Sequence, residues 1–353
     1  MKRKCGAALT ALVGVCVATG ASASQAPPDS IPARAPDRLF EATQPLDLTL
    51  KADFGAIGKN RGNDKPNHPG VLSYATPAGD TVALDVQLHT RGHFRLERCQ
   101  YPPLKIVFNR EQTAHTPFAH QGSLKLAVQC RGGQTYANYT LEEYLIYQIY
   151  NLLTDRSFRA RLTRVTYVDA TGKHAPETRR AFFVEDDDRM ARRNDMQVFA
   201  RKGVSQDELN FDQTGLAMVF QYMIGNTDFA VTALHNIVLI RDSSGVVYPV
   251  PYDFDWSGVI WTPYATPDSR LEIRTVRQRL FRGTCRSPQE LAPLFARFNA
   301  RKDTIYALYR GMSAEGLEAK RIEQALDYYD EFFKTINDPG RTRREFMLAC
   351  RGG

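Results

Sequence analysis

The pattern of hydrophobic residues changes near residue 186, and this change constrains the fold more than any other feature of the chain. Before it, short segments with alternating, β-branched or aromatic residues predict strands of a largely antiparallel sheet. The predicted strands are 46–52, 81–89, 103–108, 123–129, 162–168 and 180–185. The sequences Ala78-Gly79-Asp80 and Ala170-Thr171-Gly172 supply turns between some of them.

Helical periodicity, with apolar residues three and four apart, appears once in the first half and dominates the second. The first-half helix is predicted at 139–153 and carries the adjacent acids Glu142 and Glu143. Second-half helices are predicted at 213–224, 288–299, 301–310 and 313–335, enclosing two short strands at 236–241 and 246–250. The sequence therefore predicts an α+β fold with a β-rich first half, 39–185, and a helical second half, 186–353.

The first 23 residues have the form of a secretory signal peptide. Three basic residues at positions 2–4 precede a mostly apolar stretch, and Ala21-Ser22-Ala23 has the small-x-small form of a cleavage site. The apolar stretch is shorter than the roughly 20 residues of a membrane span, and no later segment is long enough. We therefore expect export, a mature chain beginning at Ser24, a proline-rich linker over 24–38, and no stable membrane span.

Charge and cysteine content agree with an exported protein that does not bind nucleic acid. Loss of residues 1–23 lowers the formal net charge from +7 to +4, and no block of basic residues with interleaved aromatics marks a nucleic-acid surface. An even number of cysteines remains in an oxidising compartment, so we predict two disulfides, each within one half of the chain. The predicted pairs are Cys99 with Cys130 and Cys285 with Cys350.

Several common catalytic sequence motifs are incomplete in this chain or absent from it. Gly58-Lys59 resembles the end of a phosphate-binding loop, but Asp53 stands where the first glycine belongs and Asn60 where a magnesium-binding Ser or Thr belongs. The seven histidines lack zinc spacing, and neither a G-x-S-x-G elbow nor a dinucleotide-binding glycine motif is present.

Residues 221–258 carry the most informative constellation. A polar loop presents Asp228, Asn236 precedes the first short strand, and Asp253 and Asp255 follow the second. Phosphoryl transfer from ATP requires a carboxylate that positions the acceptor hydroxyl and further oxygen ligands that hold Mg²⁺ against the phosphates. These residues supply such groups in the chain order of a kinase active site.

The chain resembles the spore-coat CotH family of atypical, secreted protein-kinase-like proteins. The resemblance extends from His89-Thr90-Arg91-Gly92 through Pro102-Pro103-Leu104-Lys105 and Leu124-Lys125-Leu126 to Tyr252-Asp253-Phe254-Asp255, and it is strongest in 221–258. It implies a reduced two-lobed protein-kinase-like fold. It also implies that Asp228 is the catalytic Asp, that Asn236 is a metal ligand, and that Asp253 is the Asp of a DFG-type motif.

The same resemblance implies a nucleotide-binding set in the first half. A kinase needs a strand lysine held by a helix glutamate. Lys125 with Glu143 or Glu142 satisfies this order, and Lys105 is the rival lysine. Two further positions complete the predicted set, with Arg91 near the phosphate-covering loop and Glu185 at the adenine-contacting hinge.

Other features depart from ordinary kinases. There is no glycine-rich loop and no H-R-D triplet, and Asn236 follows Asp228 by eight residues where the usual loop has about five. Asp255 replaces the glycine of the DFG-type motif, as a second metal ligand or a structural partner for an arginine.

We therefore expect an exported atypical kinase that uses ATP with Mg²⁺ or Mn²⁺ and phosphorylates a hydroxyl acceptor, with a protein Ser or Thr as the expected acceptor. One alternative is an inactive pseudokinase that serves as an extracytoplasmic binding module. The other is a nucleotidyl transferase or hydrolase that uses Asp253 and Asp255 as a carboxylate pair.

Overall fold

The strands of the first half pair around a closed circuit. The computed structural model describes residues 37–60, 62, 64–92 and 94–350. Within these residues, seven strands form a barrel in the order β1-β2-β3-β4-β5-β7-β6. They are β1 (Leu46–Ala52), β2 (His68–Ala75), β3 (Thr81–Thr90), β4 (Leu104–Phe108), β5 (Ser123–Val128), β6 (Ala160–Asp169) and β7 (Glu177–Val184). Neighbouring strands are antiparallel except at the closing seam, where β1 runs parallel to β6.

Alternation of side chains along the strands fills the barrel interior. In β4, Leu104, Ile106 and Phe108 are buried in the interior core, while Lys105 and Val107 point outward and are half-buried. Successive residues of a strand face opposite sides of the sheet, so this alternation separates the interior from the outer surface.

The predicted reduced two-lobed protein-kinase-like fold with a β-sheet N-lobe is wrong. The strands instead form a closed mixed barrel, because β1 pairs in parallel with β6 from Leu46 opposite Thr163 to Ala52 opposite Asp169. The β2 strand, which the sequence analysis did not predict, completes the circuit. Pro69 and Gly70 weaken its strand signal, and alternation identifies a strand's faces without identifying its distant partner.

Helices pack against the outside of the barrel and form the second half. The α-helices are α1 (Arg38–Glu41), α2 (Phe54–Lys59), α3 (Phe94–Arg98), α4 (Arg110–Thr113), α5 (Gln134–Leu153), α6 (Asp187–Arg193), α7 (Phe211–Ile224), α8 (Pro288–Asn299), α9 (Lys302–Gly311), α10 (Ala319–Ile336) and α11 (Pro339–Thr342). The predicted second-half helices correspond to α7, α8, α9 and α10. The large hydrophobic core joins α5 and the outer face of β7 to these helices, through residues such as Phe182 and Phe220.

A small second sheet carries the residues of greatest interest. Its strands, in the described part of the chain, are β8 (Gln197–Val198), β9 (Ile237–Arg241) and β10 (Val247–Pro251), in the order β10-β9-β8. The β9–β10 pair is an antiparallel hairpin in which Ile237 lies opposite Pro251. The end of the hairpin distant from its turn therefore brings the residues before β9 beside those after β10.

Both predicted disulfides are confirmed in the described residues. Cys99 is bonded to Cys130 and Cys285 to Cys350. These bonds fit a protein outside the cytoplasm. The predicted signal peptide, the Ser24 terminus and the linker as far as residue 36 lie outside the described residues. Among the helices that the structure describes, none combines the length and the hydropathy required to cross a membrane.

Candidate functional site

The β9–β10 hairpin brings the predicted Asp228 loop and the Asp253 segment together. Gly225 caps the end of helix α7, and its φ of +68° is the left-handed conformation that glycine adopts without strain. The following loop leads to Asn236, whose carbonyl accepts a hydrogen bond of 3.1 Å from the backbone N–H of Tyr252. Asp253 is the next residue, so it lies beside the Asp228 loop.

Asp228 is held by the residues around it. The Asn236 side-chain nitrogen donates to the Asp228 carbonyl at 2.8 Å and to Oδ2 at 3.0 Å, while His235 Nε2 lies 3.0 Å from Oδ1. The backbone N–H of Asp228 donates to Asn226 Oδ1 at 3.0 Å. The hydrogen bond to Asp228 raises the pKa of His235 above its ordinary value. The structure thus brings together the predicted catalytic Asp and the predicted metal-ligating Asn.

A cleft of about 610 Å³ opens beside Asp228. Asp228, His235 and Trp256 line it, together with the segment 266–271. The Asp228 side chain is 32% exposed and His235 is 55% exposed, so both groups are accessible from this cleft. The cleft is large enough for a side chain or a small molecule that presents a hydroxyl to Asp228.

Asp253 is held in a conformation that few residues other than glycine adopt. Its φ is +60°, in the left-handed region, and Asn236 at the other side of the hairpin end has a φ of +53°. The Tyr147 hydroxyl accepts a hydrogen bond of 3.0 Å from the backbone N–H of Asp253. Residues other than glycine cost free energy in the left-handed conformation and are concentrated at functional sites when they adopt it. Asp253 and Asn236 therefore mark this hairpin end as a candidate functional site.

Arg95, on the short helix α3, lies at the centre of a carboxylate cluster. Its guanidinium bonds Glu143 at 3.2 Å, Asp253 at 2.6 Å and Asp255 at 3.3 Å. One oxygen from each acid lies within 4.8 Å of one from each of the others. Of the two roles that the sequence left open for Asp255, the arginine partnership is the one its contacts match. Tyr264 also donates to Asp255 at 3.0 Å.

The three acids differ in their electrostatic environments. Burial raises the pKa of Glu143, and the charge of Arg95 opposes this effect. Burial also disfavours the charged form of Asp253, but attraction by Arg95 and then Arg91 outweighs it and lowers the pKa. For Asp255, burial raises the pKa to about 8 against the attraction of Arg95, and repulsion by Asp253 adds to the increase. Asp253 is therefore the member of the cluster whose surroundings favour the anionic form.

Oxygen atoms that could bind a divalent cation remain outside the Arg95 cluster and not within it. The space among Glu143, Asp253 and Asp255 already holds the Arg95 guanidinium, so a cation does not fit there. Asp253 bonds Arg95 through Oδ1, which leaves Oδ2 on a side chain that is 32% exposed. Asn236 commits its side-chain nitrogen to Asp228, so its amide oxygen is the atom it can offer. One carboxylate, one amide oxygen and substrate phosphates form a donor set that suits Mg²⁺.

The two predicted nucleotide-binding lysines lie on the outer face of the barrel. Lys105 of β4 is directly opposite Lys125 of β5. Lys125 Nζ lies 2.5 Å from Asp187 and 5.1 Å from the centre of the Tyr252 ring, and its charge helps to lower the pKa of Asp253. Lys105 instead acts on His89, whose pKa is lowered by burial and then by Lys105. Of the two lysines, Lys125 is thus the one whose positive charge acts on Asp253, as the charge of Arg91 also does.

Glu142 and Glu185, by contrast, are committed to internal contacts. Glu142 faces α10, where the Arg321 guanidinium donates to its Oε2 at 2.6 and 3.1 Å. Glu185 accepts from Arg193 at 2.9 and 3.0 Å and from the backbone N–H of Arg159 at 3.1 Å. The structure brings Glu143, and not these two acids, to Asp253.

Sequence reasoning missed Arg95 and Tyr147. Arg95 is a single arginine among many in an unremarkable segment, and its role appears only when α3 meets α5 and the 253–255 segment. Tyr147 lies four residues after Glu143 on α5, so both occupy one face of the helix. That spacing is a signal that could have connected Tyr147 with the predicted Glu143.

The chain was compared with protein-family models and with curated proteins, and neither comparison finds a match.

Proposed function

We propose that this chain is an exported phosphotransferase that transfers the γ-phosphoryl group of ATP to a Ser or Thr hydroxyl of a protein, with Mg²⁺ or Mn²⁺. The observation that carries the proposal is the hairpin end, where Asp253 is surrounded by Arg91, Arg95 and Lys125 and lies beside the Asp228–Asn236 pair. Such a set combines cations for phosphate, a donor set for a divalent cation and a carboxylate for the acceptor.

In this proposal, Asp228 orients the acceptor hydroxyl at the large cleft. Asn226 and Asn236 hold its backbone and its Oδ2, while Oδ1 faces His235 at the cleft surface. A new bond forms between the acceptor oxygen and the γ-phosphorus as the bond to the β-phosphate oxygen breaks, the hydroxyl proton passes to the Asp228 carboxylate, and ADP leaves. Asp253 and Asn236 would hold the divalent cation, which when bound neutralises charge on the phosphates.

Arg91 and Lys125 have a separate task in the same proposal. Both place positive charge near Asp253, and neither of them lies inside the Arg95 carboxylate cluster. They are therefore suited to the β- and γ-phosphates of the donor. Lys125 must exchange its contact with Asp187 for a phosphate oxygen, which is a substitution of one anionic partner for another.

A second candidate is a binding module that keeps this arrangement without turnover. The observation that favours it is Arg95, whose guanidinium fills the acidic cluster beside Asp253. Asp255 is only 8% exposed on its side chain and faces Arg95 and Tyr264, which makes a carboxylate-pair hydrolase the weaker proposal.

The test compares variants for nucleotide binding and phosphate transfer. Asp253→Ala should weaken Mn²⁺-dependent ATP binding and lower transfer by about 10²–10³-fold, because the divalent cation that neutralises the phosphate charge loses its carboxylate ligand. Asp228→Ala should bind ATP nearly as wild type does and lose about 10²–10⁴-fold in transfer. Asn236→Ala should raise the metal requirement, because water can replace one ligand. Isothermal titration and radiolabelled autophosphorylation provide the measurements.

Asp303→Ala is the matched control, since Asp303 is an exposed acid at the start of α9 and lines none of these clefts. It should behave as wild type in both measurements. ATP binding without transfer by the wild type would favour the binding module. Absence of nucleotide binding with every metal, or unchanged transfer in Asp253→Ala, would refute the phosphotransferase.

A further inference from the structure

A second cleft, of about 440 Å³, adjoins the Asp228 cleft. Phe94, Arg98, Arg131, Tyr136 and Tyr264 line it, and Thr266 lines both clefts. The Trp256 ring of the first cleft contacts the Phe94 ring of the second, with 5.0 Å between ring centres. The two clefts therefore share a wall, and an extended chain can pass from one to the other.

Two arginines give the second cleft a positive charge. The Arg98 guanidinium lies 5.9 Å from the centre of the Phe94 ring, and that of Arg131 lies 6.0 Å from the Tyr136 ring. Both residues are exposed, and among the described residues none that lines this cleft is acidic. Tyr264 separates the cleft from Asp255, which is already paired with Arg95.

A covalent bond keeps these two like charges together. Arg98 immediately precedes Cys99, and Arg131 immediately follows Cys130, so the disulfide between those cysteines joins the two segments. The Cα atoms of the cysteines are 4.6 Å apart, and Arg131 donates to the Arg98 carbonyl at 3.4 Å. Like charges repel, and an anion bound between the two arginines offsets this repulsion because it attracts both.

We infer that the second cleft binds an acidic side chain of the protein acceptor and thereby selects acceptors whose hydroxyl lies near Asp or Glu. The inference rests on the proposed function for the identity of the bound chain as an acceptor. Planar guanidinium groups bind carboxylates through paired hydrogen bonds, and here both lie beside an aromatic ring. Because Thr266 lines both clefts, a bound peptide can place its carboxylate in the second cleft while its hydroxyl lies at Asp228 in the first.

Peptide binding, measured without nucleotide, tests the inference separately from phosphate transfer. The probes are a fluorescent 12-residue peptide, about 40 Å when extended, with one Ser flanked by Glu on both sides, and the same peptide with every Glu replaced by Gln. Fluorescence anisotropy should show that wild type binds the acidic peptide at least about tenfold more tightly at low ionic strength. Added salt should reduce the difference.

The Arg98→Gln/Arg131→Gln double variant should lose this preference, whereas Arg343→Gln should keep it. Arg343 is an exposed arginine near the C-terminus that lines neither cleft, which makes it the matched control. A thermal melt equal to that of wild type establishes that the double variant is folded. Equal affinity of wild type for both peptides, or an unchanged preference in the folded double variant, would overturn the inference.

Two further arms complete the design. A short DNA duplex that binds wild type more tightly than the acidic peptide, through the same arginines, would overturn the inference in favour of a nucleic-acid surface. Titration of ATP with Mn²⁺ into the double variant should match wild type, because the arginines lie outside the nucleotide set. Charge-selective peptide binding without any ATP binding would therefore sustain the binding of acidic side chains by this cleft, while refuting the proposed function and with it the role of the bound chain as an acceptor.

Discussion

At the scale of single residues, Glu142 shows how burial alone can make stability depend on pH. Burial raises the pKa of its carboxyl to about 8, against the opposing charge of Arg321. In the unfolded chain the group titrates near its ordinary pKa. The stability that the neutral carboxyl contributes is therefore complete below that ordinary pKa and is lost as pH rises through about 8.

We predict that Glu142→Gln removes this pH dependence. Between pH 5 and 8 the unfolding free energy of wild type should fall relative to the variant by up to about 1.4 kcal/mol per pH unit. Urea denaturation at each pH measures the difference. Glu290→Gln is the control, since hydrogen bonds from Ser287 lower the pKa of Glu290 and leave it ionised throughout this range. Parallel pH profiles for wild type and Glu142→Gln would contradict the prediction.

At the scale of elements, the Cys99–Cys130 disulfide anchors α3, which carries Arg95 and packs Phe94 against Trp256. We predict that Cys99→Ser/Cys130→Ser destabilises the protein by about 3–4 kcal/mol, because the bond closes a long loop in the unfolded chain. Tryptophan emission should also shift, since the Trp256 ring loses its fixed neighbour. Chemical denaturation followed by fluorescence measures both effects.

The second disulfide provides the matched comparison for α3. Cys285→Ser/Cys350→Ser opens a longer loop, with a sequence separation of 65 against 31, and should cost a similar free energy. It should leave the native tryptophan emission unchanged, because the segment it releases lies elsewhere. Equal emission shifts in both double variants would show that the first disulfide has no special relation to α3.

At the scale of the whole molecule, the parallel seam between β1 and β6 closes the barrel. β1 also supplies Leu48, Leu50 and Ala52 to the barrel core, and all three are at most 3% exposed. We predict that a chain beginning at Asp37 unfolds cooperatively, whereas one beginning at Asp53 does not. Loss of a strand opens two sheet edges and removes two buried leucines, each worth about 2–5 kcal/mol.

Circular dichroism and heat-capacity measurements on the two truncated chains test this prediction. A point variant keeps the length constant, and Leu50→Ala should lower the unfolding free energy by about 2–5 kcal/mol. Lys51→Ala, an exposed neighbour on the same strand, should change it by less than about 0.5 kcal/mol. A sharp melt for the chain that begins at Asp53 would mean that the barrel does not depend on β1.

Local patterns in the sequence identified most elements and the cysteine pairs. Six of the seven barrel strands were predicted, and so were the helix at 139–153, which starts earlier in the structure at Gln134, and the β9–β10 hairpin. These features depend on side-chain alternation, helical spacing and turn residues within short stretches, so sequence reasoning can reach them. The Asp228, Asn236 and Asp253 constellation was found for the same reason, since one hairpin connects all three.

Tertiary structure alone decided barrel closure and the centre of the site. The β1–β6 seam joins strands more than a hundred residues apart, and the contacts of Arg95 span three separate segments of the chain. Neither leaves a local pattern, because pairing partners and buried ion contacts are selected by the packing of the whole chain. The sequence by itself thus determined six of the barrel strands, the long helices, the β9–β10 hairpin and the disulfides, and packing determined that the strands close and that Arg95 lies among the acids.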